Sequence, residues 1–393
     1  MRVPALTIEQ AQARMLSLCA PMPVEVVPVE QALGRYLARP LVAARTQPPA
    51  DLSAMDGYAV AGAPPWRRVG ESHCGEPFVG AIAAGQCLRI STGAIMPDGA
   101  DRVLIQEDAV VAGEQVAARD DPPAGTHIRR KGFQFVPGDP LLPVGTRIGP
   151  AQLALALSAG HAAVPVHAAP TLAVFDNGDE LTADAASSAV HQIPASNGAM
   201  LGAMAATLPC AVRQGTPLPD RLEAIVAALE TQREADVVVL TGGASVGDHD
   251  FARLALEAIG AELDFWKVAM KPGKPLMVAR RGRQLVLGLP GNPVSAFVTG
   301  FLFMLPALRR LLGAAECLPQ SVTLPLAADC PAGGARRELL RGVLGPSGVS
   351  PMPQQDSSAL LSLARSDVLI DRPAHAGEAK AGTPVPVYLF GNG

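Results

Sequence analysis

The sequence predicts an α/β multidomain fold: a doubly wound parallel-sheet domain joined to an elongated N-terminal domain, an inserted β-rich domain and a C-terminal β domain. Three observations predict it. From Thr171 onward, strand-like and helix-like stretches alternate, the signature of a doubly wound sheet. Between about Ala44 and Gln134 the texture changes to short apolar runs broken by Gly and Pro, which suits a small β domain. With 393 residues the chain is also too long for one ordinary core. The expected divisions are 1–43 with 135–168 for the elongated domain, 44–134 for the insertion, 169–314 for the α/β domain and 315–393 for the C-terminal β domain.

The elements follow in order. Thr7 to Leu18 has a helical pattern with Thr7 as N-cap and Gln10 as its capping-box partner, and this helix is a candidate to pack on the α/β domain. Val24 to Val29 reads as a strand and Gln31 to Leu37 as a short helix. In the insertion, Arg102 to Gln106 and Gln115 to Ala118 are typical strand-like runs. The α/β pattern then reads Leu172 to Phe175, Asn197 to Leu208, Ala211 to Gln214, Asp220 to Thr231, Val237 to Leu240 and Asp250 to Ile259. Leu276 to Ala279 and Gln284 to Leu287 flank an Arg-Arg-Gly-Arg turn as a hairpin. Asn292 and Pro293 fit N-cap and N1 of the next helix. After Leu318 the chain is again strand-like.

Composition narrows the function classes. A formal charge of −4 and a pI near 6.0 remove the electrostatic case for nucleic acid. Cys19, Cys74, Cys87, Cys210, Cys317 and Cys330 form no CxxC pair and no His/Cys grouping, so zinc and iron–sulfur sites lack support and free thiols are expected. The first residues lack the apolar core of a secretory signal. Pro306 and Arg309-Arg310 interrupt the most apolar stretch, Val294 to Leu312, which reads as a buried helix rather than a membrane span. The expectation is a cytoplasmic protein.

Chemistry concentrates between Asp236 and Pro293. Val237 to Leu240 is an apolar run of the kind that makes a strand buried on both faces, ending in the turn TGGASVGDHD ahead of a helix-like stretch. Free N–H groups, the close approach that Gly242, Gly243 and Gly247 allow, and the helix dipole make such a turn an anion cradle, to which Ser245 adds a hydroxyl. Lys271-Pro-Gly-Lys274-Pro sets two ammonium groups across a turn where they can converge on an oxyanion. Leu289-Pro290-Gly291-Asn292-Pro293 is a third loop of the same kind. Asp179 and Glu180 follow the strand Leu172 to Phe175 at the same sheet edge, where carboxylates hold a divalent ion or a water beside a phosphate, or form a solvated turn.

In this order and spacing GGxSxGxxD, KPGKP and LPGNPVS closely resemble the molybdopterin molybdenumtransferase family, to which the E domain of gephyrin belongs. Ser53-Ala-Met-Asp-Gly-Tyr-Ala59, Arg89-Ile-Ser-Thr-Gly-Ala94, Gly178-Asp-Glu-Leu181 and Ser358-Ala-Leu-Leu-Ser-Leu-Ala364 extend the resemblance over nearly the whole chain. The resemblance implies that Asp56, Thr92 and Glu180 are catalytic, that Asp250 accepts hydrogen bonds from a pterin ring, and that Asp56, Asp179 and Glu180 bear on Mg²⁺. On their own, Asp56-Gly57 is a hairpin turn, Thr92 a turn hydroxyl and Asp250 a helix cap.

The function so implied is insertion of molybdenum from molybdate into adenylylated molybdopterin, with cleavage of the pyrophosphate linkage and release of AMP. Implied partners are a second copy of the chain, molybdopterin adenylyltransferase and molybdoenzyme maturation proteins. Two alternatives stay open: a non-catalytic molybdopterin-binding scaffold, and molybdopterin adenylyltransferase itself. Departures from the family pattern are Asp176-Asn177 in place of two hydroxyl-bearing or Pro-Thr residues, Phe133-Gln134 in place of an acidic pair, Pro219 before Asp220, and Ala61. Asp176 is expected to add negative charge near an anionic substrate, and Gln134 to weaken Mg²⁺ binding.

Overall fold

The computed structural model describes residues 5–243 and 251–392. In its α/β region the strands lie in the order Ala211–Gln214, Thr171–Asp176, Val237–Thr241, Gln284–Leu289, Met277–Arg281, Glu262–Phe265. The first four are parallel. Met277–Arg281 runs antiparallel to both its neighbours, because the expected hairpin turns the chain back between Arg281 and Gln284, so the sheet is mixed rather than wholly parallel. Leu172, Val174, Val237 and Val239 enter one core, whereas Ala173, Phe175, Val238 and Leu240 enter another with the helices Leu222–Thr231 and Phe251–Ala258. Both faces are thus covered, which is why these strands read as unbroken apolar runs.

The first helix, Ile8–Ser17, starts with the expected capping box: the Gln10 N–H donates to Thr7 Oγ1 at 3.2 Å and the Thr7 N–H to Gln10 Oε1 at 3.0 Å. Its Ile8, Ala11 and Met15, spaced along one helical stripe, enter the same core as Leu172 and Val237. On the same helix the buried Gln12 donates through Nε2 to the Leu302 carbonyl at 2.9 Å. That carbonyl lies four residues before Pro306, whose ring removes a helical N–H and pushes that carbonyl aside. The helix Pro293–Leu311 passes this point through a π-helical stretch, Gly300–Met304, and does not break. Its length and apolarity would suffice to cross a membrane, but 89% of its apolar window is buried inside the protein.

The segment Gln31 to Leu37 is not the expected helix. A single 3-10 turn, Val29–Gln31, is followed by backbone whose N–H groups go to the returning chain, Gly34 to the Ile148 carbonyl (2.8 Å) and Leu37 to that of Thr146 (3.0 Å). Gly34, at φ 79°, ends any helical continuation. Val24–Pro28 pairs antiparallel with Ala163–His167. Gly57–Val60, Trp66–Ser72, Gln86–Ile90, Arg102–Ile105, Ala109–Ala112 and Gln115–Ala118 form a sheet of their own. In the C-terminal sheet, Arg337–Gly345 pairs with Val368–Arg372 and also accepts Met270–Lys271 as a parallel edge strand, Lys271 opposite Glu338.

Candidate active site

Parallel register sets Asp176 level with Thr241, and Thr241 level with Leu289. Three loops therefore leave the sheet side by side at its carboxyl edge, the usual place for a ligand in such sheets. They enclose a cleft of about 740 Å³ whose lining includes Asn177, Glu180, Gly242, Gly243, Asn292 and Ser358. Gly242 and Gly243 hold φ 88° and 65°, and a Cβ on Gly242 would lie 2.1 Å from the Asn177 carbonyl oxygen. Glycine is required there by conformation and by the closeness of the next loop. Ser245, Gly247 and Asp250, the remainder of the expected anion turn, lie outside the described residues.

The floor of the cleft is a buried network. One Asp176 oxygen accepts from the Thr241 hydroxyl at 2.6 Å, the other from the Gly198 N–H at 3.0 Å, near the start of the helix Asn197–Ala205. Asp176 is 4% exposed and Thr241 1%. Asp176 does line the cleft, as expected of a charge near the ligand, with both oxygens engaged and the helix N-terminus opposing its charge. Asn177 Nδ2 donates to Asp220 Oδ1 at 2.5 Å, and the Asp220 N–H donates to Asp179 Oδ1 at 3.1 Å. Asp179 and Glu180 are exposed, Glu180 in the cleft wall. Among the described residues no three His, Cys, Asp or Glu side chains converge as a metal-binding group.

Pro290, Gly291, Asn292 and Pro293 all line the cleft. Asn292 occupies the N-cap position of the following helix, yet its side chain does not cap: Nδ2 donates to Ser357 Oγ at 2.9 Å, and the Val294 N–H donates to the Ser357 carbonyl at 3.1 Å. A loop of the C-terminal domain satisfies the helix end instead. Neither lysine lines the cleft; of that loop only Pro275 does. Lys271 Nζ is paired with Glu338 Oε1 at 2.9 Å, and the Lys274 carbonyl accepts from the Val268 N–H at 3.0 Å.

Asp56 and Thr92 come together elsewhere, on the β-rich sheet. The Thr92 N–H donates to Asp56 Oδ1 at 2.7 Å, and Cys74 Sγ donates to the Thr92 carbonyl at 3.1 Å. All three are exposed. Asp56-Gly57 is not a hairpin turn: Gly57 opens a strand, and a Cβ there would meet the Leu104 carbonyl oxygen at 2.0 Å, so its glycine serves close strand packing. None of the residues lining the α/β cleft comes from 44–134. Phe133 is exposed, and the Gln134 N–H donates to the Gln47 carbonyl at 2.9 Å.

Family models match in chain order: MoeA N-terminal region (domain I and II) over 6–160, probable molybdopterin binding domain over 173–310, and MoeA C-terminal region (domain IV) over 323–390. The molybdopterin molybdenumtransferase of Synechococcus elongatus is 35% identical over 384 residues, 93% of this chain and 94% of the relative. That of Staphylococcus aureus strain MRSA252 is 30% identical over 400 residues, 98% and 95% of the two chains. The chain belongs to the molybdopterin molybdenumtransferase family. A solved molybdopterin biosynthesis MoeA protein of Pyrococcus horikoshii superposes with a TM-score of 0.81 at 28% identity, covering 98% of this chain and 99% of that one.

Sequence reasoning missed Asp220 in this molybdenumtransferase-family cleft and two partners of its neighbouring loops, Ser357 and Glu338. Asp220 was read only as a helix start, although a residue after the parallel strand Ala211–Gln214 belongs at the same carboxyl edge. Ser357 is joined to Asn292 across 65 residues, for which no local signal exists. Glu338, the partner of Lys271, sits in a strand whose parallel pairing to the α/β domain is equally invisible in the sequence.

Proposed function

We propose that the chain takes adenylylated molybdopterin and molybdate, cleaves the pyrophosphate linkage, releases AMP and leaves molybdenum on the dithiolene. The observation that carries this reading is the cleft at the ends of three parallel strands, whose lining joins the backbone of Gly242, Gly243 and Gly291 to the carboxylate of Glu180. It suits a phosphate-bearing ligand held by main-chain N–H groups beside a carboxylate. The relatives reported above, alike over nearly the whole chain, are named molybdopterin molybdenumtransferases, which supports the molybdenum-transfer part of this reading.

Mg²⁺ fits the donor set in one way. Magnesium is commonly held by one or two carboxylates together with substrate phosphates and water, so Glu180 with Asp179 or Asp220 suffices and no protein cage is needed. When bound, it would neutralise charge on the phosphate oxygens; the protein groups bind and orient the ligand. All six cysteines are free, which supports a cytoplasmic setting.

The deciding assay is AMP release from adenylylated molybdopterin with and without molybdate. Molybdate-stimulated release is expected. Binding without release would make the chain a scaffold, and net adenylylation from ATP would make it an adenylyltransferase.

The functional unit we infer is a homodimer. Asp56 and Thr92 lie outside the cleft that holds Glu180, and a two-fold axis can bring each β-rich domain over the partner's sheet. Asp56→Asn and Glu180→Gln variants, each inactive, are mixed under conditions that exchange subunits. Activity should return, because a mixed dimer has one site with both native residues; confirmed exchange without activity would show that each site is built within one chain.

A further inference from the structure

We propose that Glu338 is a built-in competitor of the oxyanion substrate: it occupies Lys271, and so sets the affinity and the charge selectivity with which this protein takes up a tetrahedral dianion. The proposal rests on the functional reading above, since it concerns the anion that the site would use.

Lys271 is one of two cations in the loop from Met270 to Pro275, and Pro275 forms part of the cleft wall. Its ammonium group is not free. Nζ lies 2.9 Å from Glu338 Oε1, and the two residues sit directly opposite each other where Met270–Lys271 joins the C-terminal sheet. The two partners are unequal, Lys271 having a side chain 53% exposed and Glu338 one only 12% exposed. Glu338 belongs to the strand Arg337–Gly345 and is the more buried of the two, so the lysine is the member of the pair with room to move.

The consequence is electrostatic. Paired, Lys271 and Glu338 offer an approaching anion no net charge, and the loop presents only Lys274. An ammonium group has three donors, of which the carboxylate occupies one. A dianion that recruits Lys271 must either share it with a fixed carboxylate or draw it away, and the penalty grows with the charge of the anion. Glu338 thereby weakens the uptake of a dianion more than that of a monoanion of the same size.

The test uses the full-length chain and two tetrahedral probes of similar size and different charge, molybdate and perrhenate, titrated calorimetrically at low and high ionic strength. Glu338→Gln keeps the shape and an acceptor for Lys271 while removing the charge. It should bind molybdate about tenfold more tightly at low salt. Perrhenate should gain less, and the gain should shrink at high salt. Lys271→Ala should weaken molybdate binding, and Lys271→Ala combined with Glu338→Gln should show little of the gain. Glu338→Ser carries the same expectations should the glutamine variant not fold.

Unchanged or weaker molybdate binding by Glu338→Gln, equal gains for the two probes, or wild-type affinity in Lys271→Ala would each overturn the proposal while leaving molybdate-stimulated AMP release intact. A wild-type chain that neither binds molybdate nor responds to it in AMP release would overturn the functional reading and this proposal together.

Discussion

The two groups of candidate catalytic residues are built in opposite ways. The α/β cleft stands on a buried floor, where Asp176, Thr241 and the start of the helix Asn197–Ala205 satisfy one another out of water. The Asp56–Thr92 pair stands on exposed loops of the β-rich sheet, tied by a main-chain N–H to a carboxylate and by a thiol to a carbonyl. A buried network holds its shape because breaking it leaves unpaired polar groups, whereas an exposed one exchanges its bonds with water at little cost. Shape is therefore stored in the cleft, and adjustability in the β-rich loops.

The largest effect expected separates chemistry from shape within the cleft. Glu180 is exposed in the cleft wall, so Glu180→Gln should reduce the rate of AMP release by roughly a hundredfold or more. Its thermal midpoint should stay at the wild-type value. A folded variant with near-normal release would remove Glu180 from the catalytic assignment.

The next effect sets floor against loop. Asp176→Ala strands the Thr241 hydroxyl and the Gly198 N–H and should cost about 2–4 kcal/mol in denaturant unfolding. Asp56→Ala breaks a bond of similar length in the open, and should cost under about 1 kcal/mol. Equal losses in the two variants would contradict the comparison.

Thiol chemistry sharpens it further. Burial pushes the Cys19 thiol up to about 12 and those of Cys87 and Cys210 up to about 11, and raises Cys317 and Cys330 as well. Cys74 is exposed. A colorimetric thiol reagent at neutral pH should show one fast-reacting group, lost in Cys74→Ser, with the others reacting only on unfolding. A fast phase that persists in Cys74→Ser would show another cysteine to be open.

The smallest effect follows from the same thiols. Their folded values lie above the ordinary value of 9.0, so the unfolded chain gives up these protons first as pH rises. Their contribution to stability is complete below pH 9 and declines from there toward pH 11–12. A melting temperature that falls less steeply above pH 9 in Cys19→Ala than in the wild type would match this linkage.

Much of the fold was legible because it was local. The capping box at Thr7, the buried run at Val237 and the turn between Arg281 and Gln284 each carry their signal within a few residues. The glycine-rich edge of the site was legible for the same reason. What escaped reading depends on pairs far apart in the chain: Asn177 with Asp220, Asn292 with Ser357, Lys271 with Glu338. The helix expected at Gln31 to Leu37 failed likewise, because the N–H groups of Gly34 and Leu37 are claimed by the carbonyls of Ile148 and Thr146.

The bond from Gln12 to the Leu302 carbonyl fixes an order of events during synthesis. The first helix leaves the ribosome early, yet the Leu302 carbonyl it serves arrives 290 residues later. At roughly 5–20 residues per second, that separation is about 15 to 60 s during which the Gln12 amide lacks its acceptor. The seat of the first helix on the α/β core is therefore complete only once the helix from Pro293 to Leu311 has emerged.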